Sequence, residues 1–573
     1  MAVTHCSMPP MVTKPESSTL AAASRVGARA GASAETERGT HRTAASPRAS
    51  AMHLVTIHSP CSGEYAISQE YSVSDSPHTA GRNLPAYDRR NSFYAPVTTP
   101  VETFDVVVIG AGPAGISGAV AAGFMGARTL LIERETQVGG AGINTGTIPS
   151  KTLRETALAL SGIRSRRLYG VDLSLRREAT IADFTHHRDN VMLGEHRRVG
   201  HRLDGLAVQR RVGSGAFVDA NTVCVTGPGN ETERVRGDII LIATGSSPFR
   251  PAEFPFEHPH VHDSDEILNI ESVPHVLVIV GAGVIGCEYA STFCALGTTV
   301  HLVDGRSSLL PFIDAEISSA LTTALTALGV HLHLGERVAQ CVTHDDGKVE
   351  VILASGESLA CDDVLVCSGR TSNTERLNLG AAGIVPGKRG LIDVDENFRT
   401  SVPHIYAAGD VIGAPALAST GMEQARAAMN RALGSDLKRD VASLLPTGIY
   451  TIPEIGSIGA TEESLRAAGV DYIVGRWRAA DTARGCILGD DHGMLKLLFR
   501  RDDMKLLGAH VIGEHATETV HIGMIAMLLD AGADLFNKAC FNFPTLGDLY
   551  KYATYDALIQ ERASREASAR PAK

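Results

Sequence analysis

Hydrophobic residues in this chain fall into short β-branched runs that end in glycine, separated by longer stretches of small and mixed residues. The run FDVVVI (104–109) is continuous rather than alternating, the pattern of a strand buried on both faces of a parallel sheet. It leads through Gly110-Ala111-Gly112-Pro113-Ala114-Gly115 into an Ala-rich stretch that predicts a helix to about Gly126. A second run, Arg128–Ile132, then ends at Glu133. The same order returns at Val276: a run to Val280, then Gly281-Ala282-Gly283-Val284-Ile285-Gly286, a predicted helix, and a strand Val300–Val303 ending at Asp304. From first glycine to acid is 23 residues both times, 110 to 133 and 281 to 304. This internal repeat predicts two Rossmann-like dinucleotide-binding units in an α/β fold.

Each unit has a later strand that closes in glycine: IILIATGSSP (239–248, with Thr244 and Gly245) and DVLVCSGRTSN (363–373, with Gly369). Gly245 follows Gly110 by 135 residues, but Gly369 follows Gly281 by only 88, so the first unit is elaborated around residues 139–151 and the helices after them. HIYAAGD (404–410) predicts a strand ending in Gly-Asp, followed by a helix over 416–432. Beyond Pro446 the texture becomes α+β. Thr447–Gly456 and Met494–Phe499 read as strands joined by Leu506–Ile512, Glu518–Ala531 as a helix, and the residues after about Arg562 as a polar tail. Residues 1–100, rich in Ala, Ser, Thr, Arg, Pro and Gly without a hydrophobic period, predict a disordered extension. Four segments follow: the extension, a first nucleotide-binding domain over 101–265 and 390–445, a second over 266–389, and a C-terminal α+β domain over 446–573.

Composition narrows the function classes. A chain of 573 residues suits about three domains, and 44% hydrophobic with 20% charged residues is ordinary globular usage. A net charge of −11 disfavours nucleic acid and anionic lipid as partners. The longest apolar runs stop at glycines well short of a bilayer span, so a soluble, cytoplasmic protein is expected. The basic, Ala/Ser-rich first 50 residues resemble an organellar transit peptide, which would place it in a mitochondrion or another organelle; Glu16, Glu35 and Glu37 weaken that helix. An upstream translation start, with Met52 as a later one, explains them equally well. Ten cysteines show no CxxC and no zinc-ligand spacing, which suits a reducing compartment and gives no metal site.

The glycines of each repeat let backbone approach a pyrophosphate at a helix N-terminus, and the acid 23 residues on accepts ribose hydroxyls. Asp304 favours NAD(H), because a carboxylate repels a 2′-phosphate. Arg306, two residues on, either meets that phosphate as a fork or is an ordinary solvated side chain.

Residues 139–151 read Gly-Gly-Ala-Gly-Ile-Asn-Thr-Gly-Thr-Ile-Pro-Ser-Lys. With the paired fingerprints and Ala408-Gly409-Asp410, this string resembles the redox arm of the flavin-dependent pyridine nucleotide-disulfide oxidoreductases, over about 104–560. The resemblance implies FAD on the first unit, with Gly110, Gly112, Gly115, Glu133, Arg134, Gly139, Gly140, Gly142, Thr147, Thr244, Gly245 and Asp410 as candidate contacts. It implies a nicotinamide nucleotide on the second, with Gly281, Gly283, Gly286, Asp304, Arg306 and Gly369. It also implies a two-fold homodimer through the C-terminal domain. Lys151, closing the Ile-Pro-Ser-Lys turn, is expected near flavin N5 and paired with Glu288 across the two units, and these two are the candidate catalytic residues.

The family's two redox cysteines fall at Gly142 and Thr147, and its base histidine and orienting glutamate fall at Phe543 and Asp548. Loss of both is similar to the soluble, Si-face-specific pyridine nucleotide transhydrogenases, which generally keep the first cysteine. The implied activity is FAD-dependent, ping-pong hydride transfer between NADPH and NAD⁺, with NAD(H) and NADP(H) as substrates and no redox disulfide. The alternatives are a reductase of the same fold acting on a quinone or other small acceptor, a nucleotide-binding protein without turnover, and a dithiol reductase borrowing Cys540.

Overall fold

In the computed structural model, residues 101–161, 181–344, 347–437 and 440–569 are described. The predicted extension over 1–100 lies outside them.

The first unit begins with β1 (Glu102–Ile109), α1 (Pro113–Phe124) and β2 (Thr129–Glu133). There follow α2 (Thr147–Leu160), α3 (Ile181–Gly205), β3 (Gln209–Val212), β4 (Ser214–Phe217), β5 (Thr222–Thr226), β6 (Thr232–Ile242) and the short β7 (Ser246–Pro248). The sheet order is β3-β2-β1-β6-β5-β4. β1 pairs in parallel with β2 and β6, so Val106, Val107 and Val108 are buried on both faces, as their unbroken apolar run requires. Pro113 opens α1, where its fixed φ suits the first turn and its missing N–H is not needed. The arm differs from expectation. Ala141–Thr145 form a π-turn, and Lys151 sits in the second turn of α2 rather than closing a turn.

The second unit repeats the plan with β8 (Val261–Asp263), β9 (Val276–Val280), α4 (Val284–Ala295), β10 (Thr299–Asp304), α5 (Ala315–Leu328) and β11 (His331–Leu334). A meander of β12 (Val338–Thr343), β13 (Val349–Leu353) and β14 (Ser358–Cys361) precedes β15 (Asp363–Val366) and β16 (Arg370–Ser372). The parallel order is β11-β10-β9-β15-β8. Val349, Val351 and Leu359 of the meander pack with Val278 and Val303 of the parallel sheet, while Leu277, Ile279 and Leu302 pack with α4 and α5. β7 and β16 pair antiparallel, Ser247 opposite Thr371, and so stitch the two closing-glycine loops together. The chain then returns to the first sheet as β17 (Ile405–Ala407) beside β6, and continues into α6 (Ala418–Ala432).

The rest is an antiparallel sheet, β18-β19-β22-β21-β20, with helices between its strands. In chain order these are β18 (Thr447–Ile449), β19 (Glu454–Gly459), α7 (Glu462–Ala467), β20 (Tyr472–Arg478), α8 (Ala483–Leu488), β21 (Met494–Arg500), β22 (Leu506–Gly513), α9 (Ala516–Leu528), α10 (Ala533–Lys538) and α11 (Asp548–Ala569). The predicted strand Thr447–Gly456 is two strands paired with each other, Ile449 opposite Ile455, because Pro453 cannot donate to a ladder. The predicted polar tail is helix to Ala569, supported on its exposed face by the Arg562–Glu566 pair at 2.9 Å. A buried ionic cluster ties this sheet to the second unit: Lys496 Nζ lies 2.8 Å from Asp314, 2.9 Å from Glu316 and 2.5 Å from Glu462. Among the described residues, no helix is long and apolar enough to cross a membrane.

Candidate active site

The two glycine loops are built alike. Gly110 (φ +100°) and Gly281 (φ +106°) adopt backbone that favours glycine, and a Cβ on either would lie 2.5 Å from a carbonyl oxygen, Ala243 O or Cys367 O. Gly115 and Gly286 let α1 and α4 pack onto those first glycines: an added Cβ would come within 1.8 Å of Gly110 O and 1.9 Å of Gly281 O. Gly112 and Gly283 have open space where a Cβ would stand. The acid of each repeat reaches back to its own loop. The Ala111 N–H donates to Glu133 Oε2 at 2.7 Å, and the Ala282 N–H donates to Asp304 Oδ2 at 2.6 Å.

A cleft of ≈ 1060 Å³ opens along the first loop. Gly110, Gly112, Glu133, Arg134, Gly140, Gly142, Thr147, Lys151, Thr244, Gly245, Glu288 and Asp410 all line it. The arm is held to the loop by the Gly139 N–H donating to Ala111 O at 2.7 Å, and by Gly140, whose added Cβ would lie 2.8 Å from Gly112 Cα. Ser246 Oγ donates to Asp410 Oδ2 at 2.7 Å, and Arg370 Nε donates to Ser246 Oγ at 2.7 Å. Asn373 Nδ2 donates to Thr244 O at 3.0 Å. Thr244 Oγ1 itself is buried in this lining without a hydrogen-bond partner in the protein. A glycine-lined groove with an orphaned hydroxyl, an acid at one end and Asp410 further along fits an extended dinucleotide such as FAD.

Lys151 Nζ donates to Glu288 Oε2 at 2.6 Å, joining residues 137 positions apart on α2 and α4. Glu288 is 7% exposed, and its other oxygen accepts the Tyr450 N–H at 2.9 Å. The Tyr450 ring lies 5.1 Å from Nζ. The ammonium is thus neutralised, fixed in direction, and left on the cleft wall.

Asp304 and Arg306 form a fork at the end of β10. Nε donates to Oδ1 at 2.9 Å and Nη2 to Oδ2 at 2.6 Å. Burial alone would raise the Asp304 carboxyl, but the guanidinium with the Arg306 and Ala282 N–H groups outweighs it and holds the carboxyl below the usual range.

Gly115, Gly139, Gly281, Gly283, Gly286, Asp304, Arg306 and Gly369 do not line the main cleft. Gly115 and Gly139 support it from behind, and the others lie on the second unit's own loop, acid and closing turn. Gly369 (φ +106°) is next to Arg389, with 3.5 Å between its Cβ position and Nη1. Phe543 is 74% exposed and Asp548 begins α11. Asp265, Arg370 and Thr145 are cleft residues that motif reading did not find. Burial raises the Asp265 carboxyl, against Arg370 and a hydrogen bond from the Thr145 hydroxyl. Thr145 lies inside the 139–151 arm and Arg370 directly follows Gly369, but their meeting with Asp265 depends on tertiary folding. No cysteine among the described residues lines the cleft, and burial pushes the Cys287 thiol up to about 12.

Two nucleotide loops, an arm and an interdomain Lys–Glu pair define a two-nucleotide redox protein. The chain belongs to the pyridine nucleotide-disulphide oxidoreductase family, whose profile matches residues 104–432, with the family's dimerisation domain matching 445–554. It is an oxidoreductase of nicotinamide nucleotides, with FAD as the family's cofactor. It is 43% identical to a soluble pyridine nucleotide transhydrogenase of Mycobacterium bovis over 461 residues, 80% of this chain and 98% of that one. It is 41% identical to another from Pseudomonas putida, over 80% of this chain and 99% of the relative. Among solved structures it is similar to the Cu(II) complex of the HOCl-induced flavoprotein disulfide reductase RclA from Escherichia coli. That match has TM-score 0.72 and 26% identity, and covers 79% of this chain and 100% of that one. It is also similar to LpdA from Mycobacterium tuberculosis, with TM-score 0.73, 25% identity, and coverage of 80% and 100%.

Proposed function

We propose that the protein transfers hydride between NADPH and NAD⁺ by a ping-pong route at one flavin face, with no redox disulfide. FAD, when bound, supplies the hydride acceptor and donor at N5. The chain's residues orient and neutralise. The glycine loops and Glu133 hold one nucleotide, the loop at 281–286 with Asp304 holds the other, and Lys151, fixed by Glu288, presents a positive charge to the reacting end. The observation that carries the reading is that Gly142 and Thr147 line the cleft where a dithiol would stand, with the Lys151–Glu288 pair intact beside them. Likeness to relatives named transhydrogenases supports it. The segments 101–265 with 390–445, 266–389 and 446–573 serve as FAD, nicotinamide and dimerisation domains, except that β8 (Val261–Asp263) joins the second unit's sheet and moves that boundary to before Val261.

The test mixes holoenzyme, NADPH and the thionicotinamide analogue of NAD⁺ and follows reduction of the analogue. Steady reduction with parallel-line kinetics is expected. Flavin reduction by NADPH without reduction of the analogue, alongside turnover with a quinone, would replace this reading with that of a quinone reductase.

A further inference from the structure

Arg306, beside the ribose-binding acid, is already occupied: its fork spans both oxygens of Asp304. A second arginine stands next to it. Segment 335–337 is hydrogen-bonded along the end of β10, with the Gly335 N–H donating to Arg306 O at 2.9 Å and the Glu336 N–H to Asp304 O at 3.2 Å. This brings Arg337 against Gly305, where an added Cβ would meet Arg337 Cγ and Nε at 3.2 Å. Gly305 therefore makes room for a guanidinium delivered from the neighbouring segment. Arg337 is exposed, its carbonyl anchored by the Ala354 N–H at 2.8 Å, and among the described residues its guanidinium makes no ion pair.

The two arginines divide the work by charge. Arg306 neutralises Asp304, so the carboxylate no longer repels an incoming anion yet keeps lone pairs for ribose hydroxyls. Arg337 contributes an unspent positive charge and a planar donor fork suited to phosphate. We propose that Arg337 is the specificity residue that receives the 2′-phosphate of NADP(H), while the Asp304–Arg306 fork serves the ribose of both coenzymes. The inference rests on the reading that the second unit holds the nicotinamide coenzyme.

The experiment is calorimetric titration of the holoenzyme with two probes, 2′-phosphoadenosine 5′-phosphate and 5′-AMP. Arg337→Ala and Arg337→Gln are expected to weaken the 2′-phosphorylated probe by about tenfold to a hundredfold, the loss of one charged fork. Affinity for 5′-AMP, which also reports an intact fold, is expected to stay within about twofold. In the parent protein, binding of the phosphorylated probe is expected to strengthen as pH rises through about 6, where a phosphate monoester takes its second charge, and the variants are expected to flatten that dependence. Unchanged affinity for the phosphorylated probe, or equal weakening of both probes, overturns the assignment. A protein that fails the hydride-transfer assay but shows the Arg337-dependent phosphate preference sinks the transhydrogenase reading and leaves this one standing.

Discussion

Glu288 has both carboxylate oxygens engaged, one by Lys151 Nζ and one by the Tyr450 N–H, and all three residues line the cleft. Removing its charge leaves the lysine without its carboxylate partner on the cleft wall and frees its direction. Glu288→Gln is expected to lower the hydride-transfer rate by about tenfold to a hundredfold with flavin content unchanged, read by stopped-flow absorbance and by flavin release on denaturation. Loss of flavin with no rate effect in the retained fraction would make the pair a structural clamp. Gly115→Ala is expected to cost about 1–3 kcal/mol in urea denaturation, since its Cβ would fall 1.8 Å from Gly110 O and α1 must shift. At this scale the sequence was legible where chemistry and spacing coincide: the glycines and the acids at 133 and 304. Lys151 and Glu288 were reached through resemblance, because 137 residues of chain separate them. Asp265, Thr145 and Arg337 were not reached at all. Asp265 and Arg337 become neighbours of the site only after distant strands pair, with nothing within a few residues to mark them, whereas Thr145 lies inside the 139–151 arm without being distinguished there.

At the level of elements, the parallel strands were legible because burial on both faces leaves an unbroken apolar run. The β4–β5 pair and the meander were missed because strands of four to six residues give too few alternations to stand out, and β20 because three consecutive residues are buried without alternating. Pro453 explains why one predicted strand became two, and i,i+4 ion pairs explain why a polar tail is helical. The Lys496 cluster joins elements from two segments, and its energetics are testable. Burial raises the Asp314 and Glu462 carboxyls, but the Lys496 ammonium outweighs it and leaves both below their ordinary values. A carboxylate depressed in the folded state contributes stability that is present above its unfolded value, about 4, and lost as pH falls through the folded one. Acid denaturation monitored by circular dichroism is therefore expected to begin below pH of about 4. Lys496→Met, which strands two buried carboxylates, is expected to cost about 3–5 kcal/mol at neutral pH, a difference that shrinks as acid protonates them. A parent–variant stability difference that stays the same from neutral pH to below pH of about 4 would mean that the cluster does not couple folding to pH.

For the whole molecule, the dimerisation domain at 445–554 and the apolar side chains on α9 and α11 point to assembly. Leu529 at the α9 end is 70% exposed and Ile559 on α11 is 68% exposed, and Ile525 and Leu528 of α9 are each 51% exposed. We propose a homodimer, for which sedimentation equilibrium is expected to give twice the 60.5 kDa chain mass and Ile559→Asp with Leu529→Asp to give the monomer. A double variant that still sediments as a dimer would place the interface elsewhere.

We propose that electrons enter and leave through the flavin's nicotinamide face without a thiol relay. Rapid mixing of fully alkylated holoenzyme with one equivalent of NADPH, then with NAD⁺ under anaerobic conditions, tests it most directly. Flavin absorbance is expected to bleach and then return at rates equal to those of the unmodified protein, with stoichiometric NADH formed. Bleaching without recovery after alkylation, with recovery intact before it, would contradict the account and restore a thiol to the electron path.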